Sequence, residues 1–288
     1  MKNKIVCLAM ITAIIIISLN TKAEVVNGTC SDDGCEWSYN TETKKLTITG
    51  NGSSTMDDYS QYFQDSPVPW NAYRQEIESL SVNGLKSLGE RAFQYHTALK
   101  EVSLSNELET LVGHAFQFDT SLSSINIPDT VTSLEFCAFQ GSGITDIIIP
   151  SSVTTIEQGV FADMDNLVSV IIPDSVTSIG RLAFLNTPNL TSIIIPDSVT
   201  EIANDAFENT VAYIYCKDTT ERLCKDLIFA SSGKLKIYTI DSDGKIKVGE
   251  KTYANLNDLP KYVKRRIYSI DEANAVAGTK NRVSITYR

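Results

Sequence analysis

Residues 190–207 read LTSIIIPDSVTEIANDAF, and close copies stand at 167–184 (LVSVIIPDSVTSIGRLAF) and 144–161 (ITDIIIPSSVTTIEQGVF). The closing phenylalanine recurs at Phe93, Phe116, Phe139, Phe161, Phe184 and Phe207, at spacings of 23, 23, 22, 23 and 23 residues. Prolines keep the same phase at Pro128, Pro150, Pro173 and Pro196. Ahead of each lies L-x-x-I-x-I: Leu122, Ile125, Ile127; Ile144, Ile147, Ile149; Leu167, Val170, Ile172; Leu190, Ile193, Ile195. Leu99, Val102 and Leu104 make an earlier, looser copy. A fixed period of this length is the mark of a stacked-repeat architecture.

One unit can be read physically. β-Branched residues at alternate positions favour a short strand with one buried face, and proline, lacking an N–H, ends its ladder. Asp-Ser-Val-Thr supplies turn chemistry through short oxygen-bearing side chains. Val and the following Ile (Val176 and Ile179, Val199 and Ile202) return to the interior, and the Phe closes the coil. Such a unit cannot bury its own apolar face, so coils must stack. The expected fold is a β-rich solenoid of about six coils of 22–23 residues, with a parallel sheet on the concave side, rungs about 4.8 Å apart, and a phenylalanine ladder inside.

The motif L-x-x-I-x-I-P-x-S-V-T-x-I-x-x-x-A-F resembles the BspA-type leucine-rich repeats of secreted and cell-surface proteins, over residues 77–216. Upstream, Gly28-Thr29-Cys30, Trp37, Leu46–Gly50, Pro69-Trp70 and Tyr73 resemble the segment that commonly precedes such repeats. The family's Gly after the Ile is present at Gly89 and Gly180, but Glu135, Glu157 and Ala203 replace it elsewhere, and the first two repeats lack the proline. The resemblance implies repeat type and architecture, and leaves the ligand unspecified.

The organisation read from the chain is a leader at 1–23, an N-terminal β cap at 24–76, the solenoid at 77–216, and an α+β cap with a basic extension at 217–288. Lys2 and Lys4 precede an apolar run from Ile5 to Leu19, and Thr21-Lys22-Ala23 ends in small residues at −3 and −1, the pattern of a secretory signal cut before Glu24. The run is too short for a membrane span. Removing it leaves five cysteines and a formal charge of 22 − 35 = −13. Secretion implies an oxidising compartment, and spacing suggests Cys30 with Cys35 and Cys216 with Cys224, which leaves Cys137 as a free thiol. Beyond Cys216 we expect a short helix around 219–229 and a hairpin of Leu235–Ile240 with Lys245–Val248. Residues 77–216 carry 17 acidic against 4 basic side chains, whereas 245–288 carry 4 against 10.

Motifs for catalysis are missing: there is no G-x-S-x-G, P-loop, G-x-G-x-x-G or H-E-x-x-H. We therefore expect a non-enzymatic chain with no cofactor or metal. His96 and His114 read as exposed and non-catalytic, and the Asp-rich turns at 31–34 and 241–244 are too short for calcium loops. Cys137 shares its repeat position with Arg91, His114, Gly159, Leu182 and Asp205, a variety that argues for exposure. An acidic array excludes nucleic acid as a partner, since phosphate contacts need Lys and Arg. The basic stretch Lys261–Arg266 could meet an anionic surface.

What remains is a surface. Between the two core residues of each strand lies one concave-face residue: Ser103, Asn126, Ile148, Ile171, Ile194 and Ile214. An apolar row over the last four rungs spans roughly 14 Å, and it can serve sheet packing, lie under the C-terminal segment, or receive a partner. The leading expectation is a secreted or surface-displayed adhesion module that binds a protein or cell-surface ligand there. The alternative is an envelope-associated spacer attached through its basic C-terminal segment.

Overall fold

The structure, a computed structural model, describes residues 24–59, 68–210, 212–217, 236–240, 246–248 and 251–253. The leader, Cys224, the helix expected at 219–229 and the basic stretch 261–266 lie outside these residues.

Three antiparallel strands open the fold: β1 (Val25–Thr29), β2 (Glu36–Asn40) and β3 (Lys45–Thr55). A Cys30–Cys35 disulfide closes the β1–β2 turn. β3 then pairs in parallel with β4 (Ser79–Ser87), which places the cap and the solenoid in one sheet. At this seam Gly50 and Gly84 lie backbone to backbone: a Cβ on either would come within 2.5 Å of the other's carbonyl oxygen, and Gly84 has φ +66°.

From β4 onward the chain coils, and each coil has two ladder-forming stretches except the one around Asn126, where residues 125–127 form no strand. The concave strands are β5 (Glu101–Leu104), β8 (Asp146–Ile148), β10 (Ser169–Ile171), β12 (Ser192–Ile195) and β14 (Tyr213–Lys217). A second parallel ladder, not foreseen from the sequence, is made by the V-T-x-I stretch. Its strands are β6 (Thr110–Leu111), β7 (Ser133–Leu134), β9 (Thr155–Ile156), β11 (Ser178–Ile179) and β13 (Glu201–Ile202), in the order β4-β6-β7-β9-β11-β13. The serine and threonine oxygens of the preceding turn reach across coils rather than within them. Thr130 Oγ1 donates to the Leu108 carbonyl and Ser175 Oγ to that of Val153, each at 2.7 Å.

The interior holds the repeat apolar residues, and the six phenylalanines stack as a single ladder with centroids 5.0–6.1 Å apart. Trp70 of the cap stacks on Phe93 at 5.5 Å and so extends the ladder by one ring. A capping residue of this kind meets the need of any open solenoid to cover its terminal coil.

Beside the phenylalanines the backbone makes its own bonds along the array. Alternate amides donate to the next coil: Cys137 N to Gln158 O (3.0 Å), Phe139 N to Val160 O (3.1 Å) and Gly141 N to Ala162 O (2.8 Å), with equivalents in neighbouring coils. That geometry places left-handed backbone at two positions in each coil but the last, which has one. One set is Arg91, His114, Cys137, Gly159 and Leu182, with φ between 55° and 66°; the other is Tyr95, Phe118, Gly141, Asp163, Asn186 and Asn209. Each non-glycine residue held there costs about 1 kcal/mol or more. The variety at the Cys137 position thus marks a backbone requirement, and the expectation of exposure is corrected: Arg91, His114, Cys137 and Leu182 are half-buried.

A polar ladder runs alongside. Gln94 Nε2 donates to Gln117 Oε1, Gln117 Nε2 to Gln140 Oε1, and Gln140 Nε2 to Asp163 Oδ2 at 2.7 Å. From the other side Asn186 Nδ2 donates to Asp163 Oδ1, also at 2.7 Å. A row of amides has a direction, and where it is met by an amide donor from the other side it can end only at a group that accepts from both. Asp163 is that group.

Candidate functional site: the concave sheet

The outward positions of the concave strands follow from register. Thr47 pairs with Ser81 and Ser81 with Ser103; Ile148 pairs with Ile171; Ile194 pairs with Tyr215, and Tyr215 with Tyr238 of β15 (Lys236–Ile240). Asn126 lies between the two groups, in a coil where no strand is assigned to 125–127. The row therefore reads Thr47, Ser81, Ser103, Asn126, then Ile148, Ile171, Ile194, Tyr215. Its polar and apolar halves meet at the interruption of the ladder.

One predicted member is corrected. Ile214 pairs with Ile193 and is fully buried, so it is a core residue, and Tyr215 takes the outward place. The last coil is short, Val170 to Ile193 spanning 23 residues but Ile193 to Ile214 only 21, so the repeat spacing does not fix the phase of this strand and its register with β12 does.

Exposure changes along the row. Ser103 and Asn126 are exposed, Ile148 is 42% exposed, Ile171 and Ile194 are half-buried, and Tyr215 is 1% exposed. The neighbouring outward row is polar, with Glu101, Ser124, Asp146, Ser169 and Ser192, and Ser169 in it is buried. The accessible apolar part is thus centred on Ile148 and Ile171.

Beyond β14 the sheet continues. β15 pairs in parallel with β14, and β16 (Ile246–Val248) and β17 (Lys251–Tyr253) follow antiparallel. These strands lie in the plane of the concave sheet, as its prolongation. The hairpin read from the sequence is the β15–β16 pair.

The remaining candidates fall elsewhere. Cys137 is a free, half-buried thiol whose Sγ lies 2.9 Å from where a Gly159 Cβ would stand. Burial, with the Asp163 carboxylate adding to it, pushes the thiol pKa up, away from reactivity. Cys216 is disulfide-bonded, and its expected partner Cys224 is outside the described residues. His96 is corrected from exposed to buried, at 1% exposure, and burial lowers its pKa to about 4. His114 is half-buried with its ring edge against Phe136 at 4.8 Å, and its pKa is also lowered to about 4 by burial and by Arg91. Among the described residues no cluster of His, Cys, Asp and Glu could hold a metal, and no helix is long and apolar enough to cross a membrane.

Comparison with known proteins agrees with this architecture. A family model, the BspA type leucine rich repeat region, matches in six copies over residues 86–214 and 183–273. No curated protein matches. Among solved structures the chain is similar to a leucine-rich repeat protein from Bacteroides ovatus ATCC 8483, at 16% identity and TM-score 0.47, covering 75% of this chain and 66% of that one. It is also similar to a leucine rich cell surface protein from Faecalibacterium prausnitzii A2-165, at 24% identity and TM-score 0.48, covering 75% and 57%. The T. pallidum leucine rich repeat protein gives 19% identity and TM-score 0.41, covering 69% and 96%. The chain spans less than two thirds of the length of the first two.

Proposed function

The chain belongs to the BspA-type leucine-rich-repeat family, and from that premise we propose that it is a non-enzymatic binding module, secreted or displayed at a cell surface, whose concave sheet docks a protein ligand. The observation that carries the reading is the divided row: hydroxyl and amide side chains from Thr47 to Asn126 abut the exposed Ile148 and the half-buried Ile171. Curved repeat arrays offer such faces as extended binding surfaces, and apolar surface beside a polar rim is the usual composition of a protein interface. The secretory part of the reading rests on the leader, with cleavage after Ala23. N-terminal sequencing of exported protein tests it.

The docking part is tested with fluorescently labelled protein titrated onto intact cells. Ile148→Thr with Ile171→Thr keeps β-branching, and therefore the strand, while removing exposed aliphatic surface. Surface binding should weaken at least tenfold with thermal stability unchanged; equal binding by the variant and the parent would overturn the reading.

A further inference from the structure

One repeat position, the third residue after each phenylalanine, forms a column through the interior: His96, Asp119, Ser142, Met164, Thr187 and Thr210, all buried. Its chemistry differs between the two ends. At the C-terminal end the polar groups satisfy each other, with Thr187 and Thr210 hydroxyls 2.8 Å apart and both bonded to the Phe184 carbonyl. At the N-terminal end four polar atoms have no hydrogen-bond partner among the described residues: His96 Nδ1 and Nε2, Asp119 Oδ2 and Ser142 Oγ. The bond that ties these rungs is His96 N–H to Asp119 Oδ1, at 2.8 Å.

A buried ionisable group without a counter-ion takes its neutral form, because desolvating the charge costs far more than moving the proton. For His96 the neutral form lacks the proton; for Asp119 it carries one. The surroundings agree. The charged group acting on His96 is Arg74, whose like charge opposes protonation. The group acting on Asp119 is the His96 amide, which supplies one hydrogen bond and no charge.

We propose that His96 and Asp119 are a proton-exchange pair: the proton that His96 holds when the first coils are open is matched by one that Asp119 holds when they are closed. Opening in mildly acid solution then leaves the number of protons bound by the pair unchanged, so the pair adds no pH response of its own there and the response of these coils is left to other groups such as His114. Alone, each residue acts strongly and in the opposite sense. Asp119, protonated when folded, loses stability as pH rises above its ordinary 3.8; His96, protonated when unfolded, gains stability as pH rises toward 6.5. The pair as a whole is therefore silent to acidification, although neither member alone is.

The column itself supplies conservative replacements, since Ser142 and Met164 occupy the same place on other coils. His96→Met and Asp119→Ser are therefore made in the full chain, and the unfolding equilibrium constant is measured by urea titration between about pH 4.5 and 6, each variant relative to the parent. His96→Met should raise the constant by up to tenfold for each unit of rising pH, and Asp119→Ser should lower it by up to tenfold per unit. The double variant should return to the parent's slope. If either single variant keeps the parent's slope, or both move in the same direction, the pair does not exist. Should a variant unfold without a single transition, hydrogen exchange of the amides at 93–119 over the same pH range reads the same slopes locally and is judged by the same outcomes.

Discussion

The meeting of the glutamine row and Asn186 at Asp163 can be tested sharply, because surface electrostatics predicts the opposite sign. Asp163→Asn is nearly isosteric and keeps a residue type that tolerates the φ of 55° found there. It removes a negative charge from an array with 17 acidic and 4 basic side chains over residues 77–216, which should stabilise by a few tenths of a kcal/mol. The ladder says otherwise. An amide at 163 has one acceptor, so either Gln140 Nε2 or Asn186 Nδ2 faces another N–H donor, and one charge-assisted bond is lost while the other weakens. A net loss of about 2 kcal/mol follows. Gln140→Glu should cost a similar amount alone, since it sets a second carboxylate against Asp163. The two changes together move the meeting point one rung back: the new carboxylate accepts from Gln117 and from the amide at 163, which in turn accepts from Asn186. Every bond is restored with total charge unchanged. We expect the double variant to lie within about 0.5 kcal/mol of the parent, giving a coupling of about 3 kcal/mol or more in a urea-denaturation cycle followed by circular dichroism. A neutral or stabilising Asp163→Asn, or an additive double variant, would refute the directional ladder.

Two further outcomes follow from the backbone. Leu182→Val, conservative by burial, places a β-branched residue at φ 55° and should cost about 2 kcal/mol in thermal unfolding, whereas Leu182→Asn should lose less than half of that. Arg181 is the one trypsin site between Glu101 and Cys216; its side chain is 68% exposed, but its carbonyl accepts the Gly159 amide at 3.0 Å. Limited trypsinolysis should therefore leave a fragment intact across 101–216, and early cleavage after Arg181 would show that this ladder opens easily.

The coil was legible because its constraints are apolar and periodic. Phe139 has one physical job in every repeat and phenylalanine fills it each time, and Pro173 has one that proline fills in four of them. The second ladder was not legible, since Val176 and Ile179 read equally well as core residues in a turn. Ile214 was misplaced because the chain between Ile193 and Ile214 is two residues short of the usual coil, so the repeat spacing no longer sets the phase, and in Tyr213-Ile214-Tyr215 an apolar residue fits either face. The left-handed column hid behind its own variety: arginine, histidine, cysteine, glycine and leucine share no side-chain property, only a backbone angle. The amide ladder hid for a different reason. It passes from the residue after the phenylalanine, at Gln94, Gln117 and Gln140, to the second residue after it, at Asp163 and Asn186, so no single repeat position displays it. His96 gave no local signal of burial, because its neighbours Tyr95 and Thr97 are polar and its surroundings come from the coils on either side.

The bonds that join coils run along the axis of the solenoid, at the concave strands, at the second ladder and beside the phenylalanines alike. A pull applied at the two ends therefore loads one inter-coil seam at a time, in the manner of a zipper, and never all seams together as in a sheet sheared lengthwise. Each seam that yields releases a coil of 22–23 residues, about 75 Å of extended chain. A protein built this way lengthens in steps under tension while the coils that remain keep their shape, so a load is absorbed before the rest of the surface is disturbed.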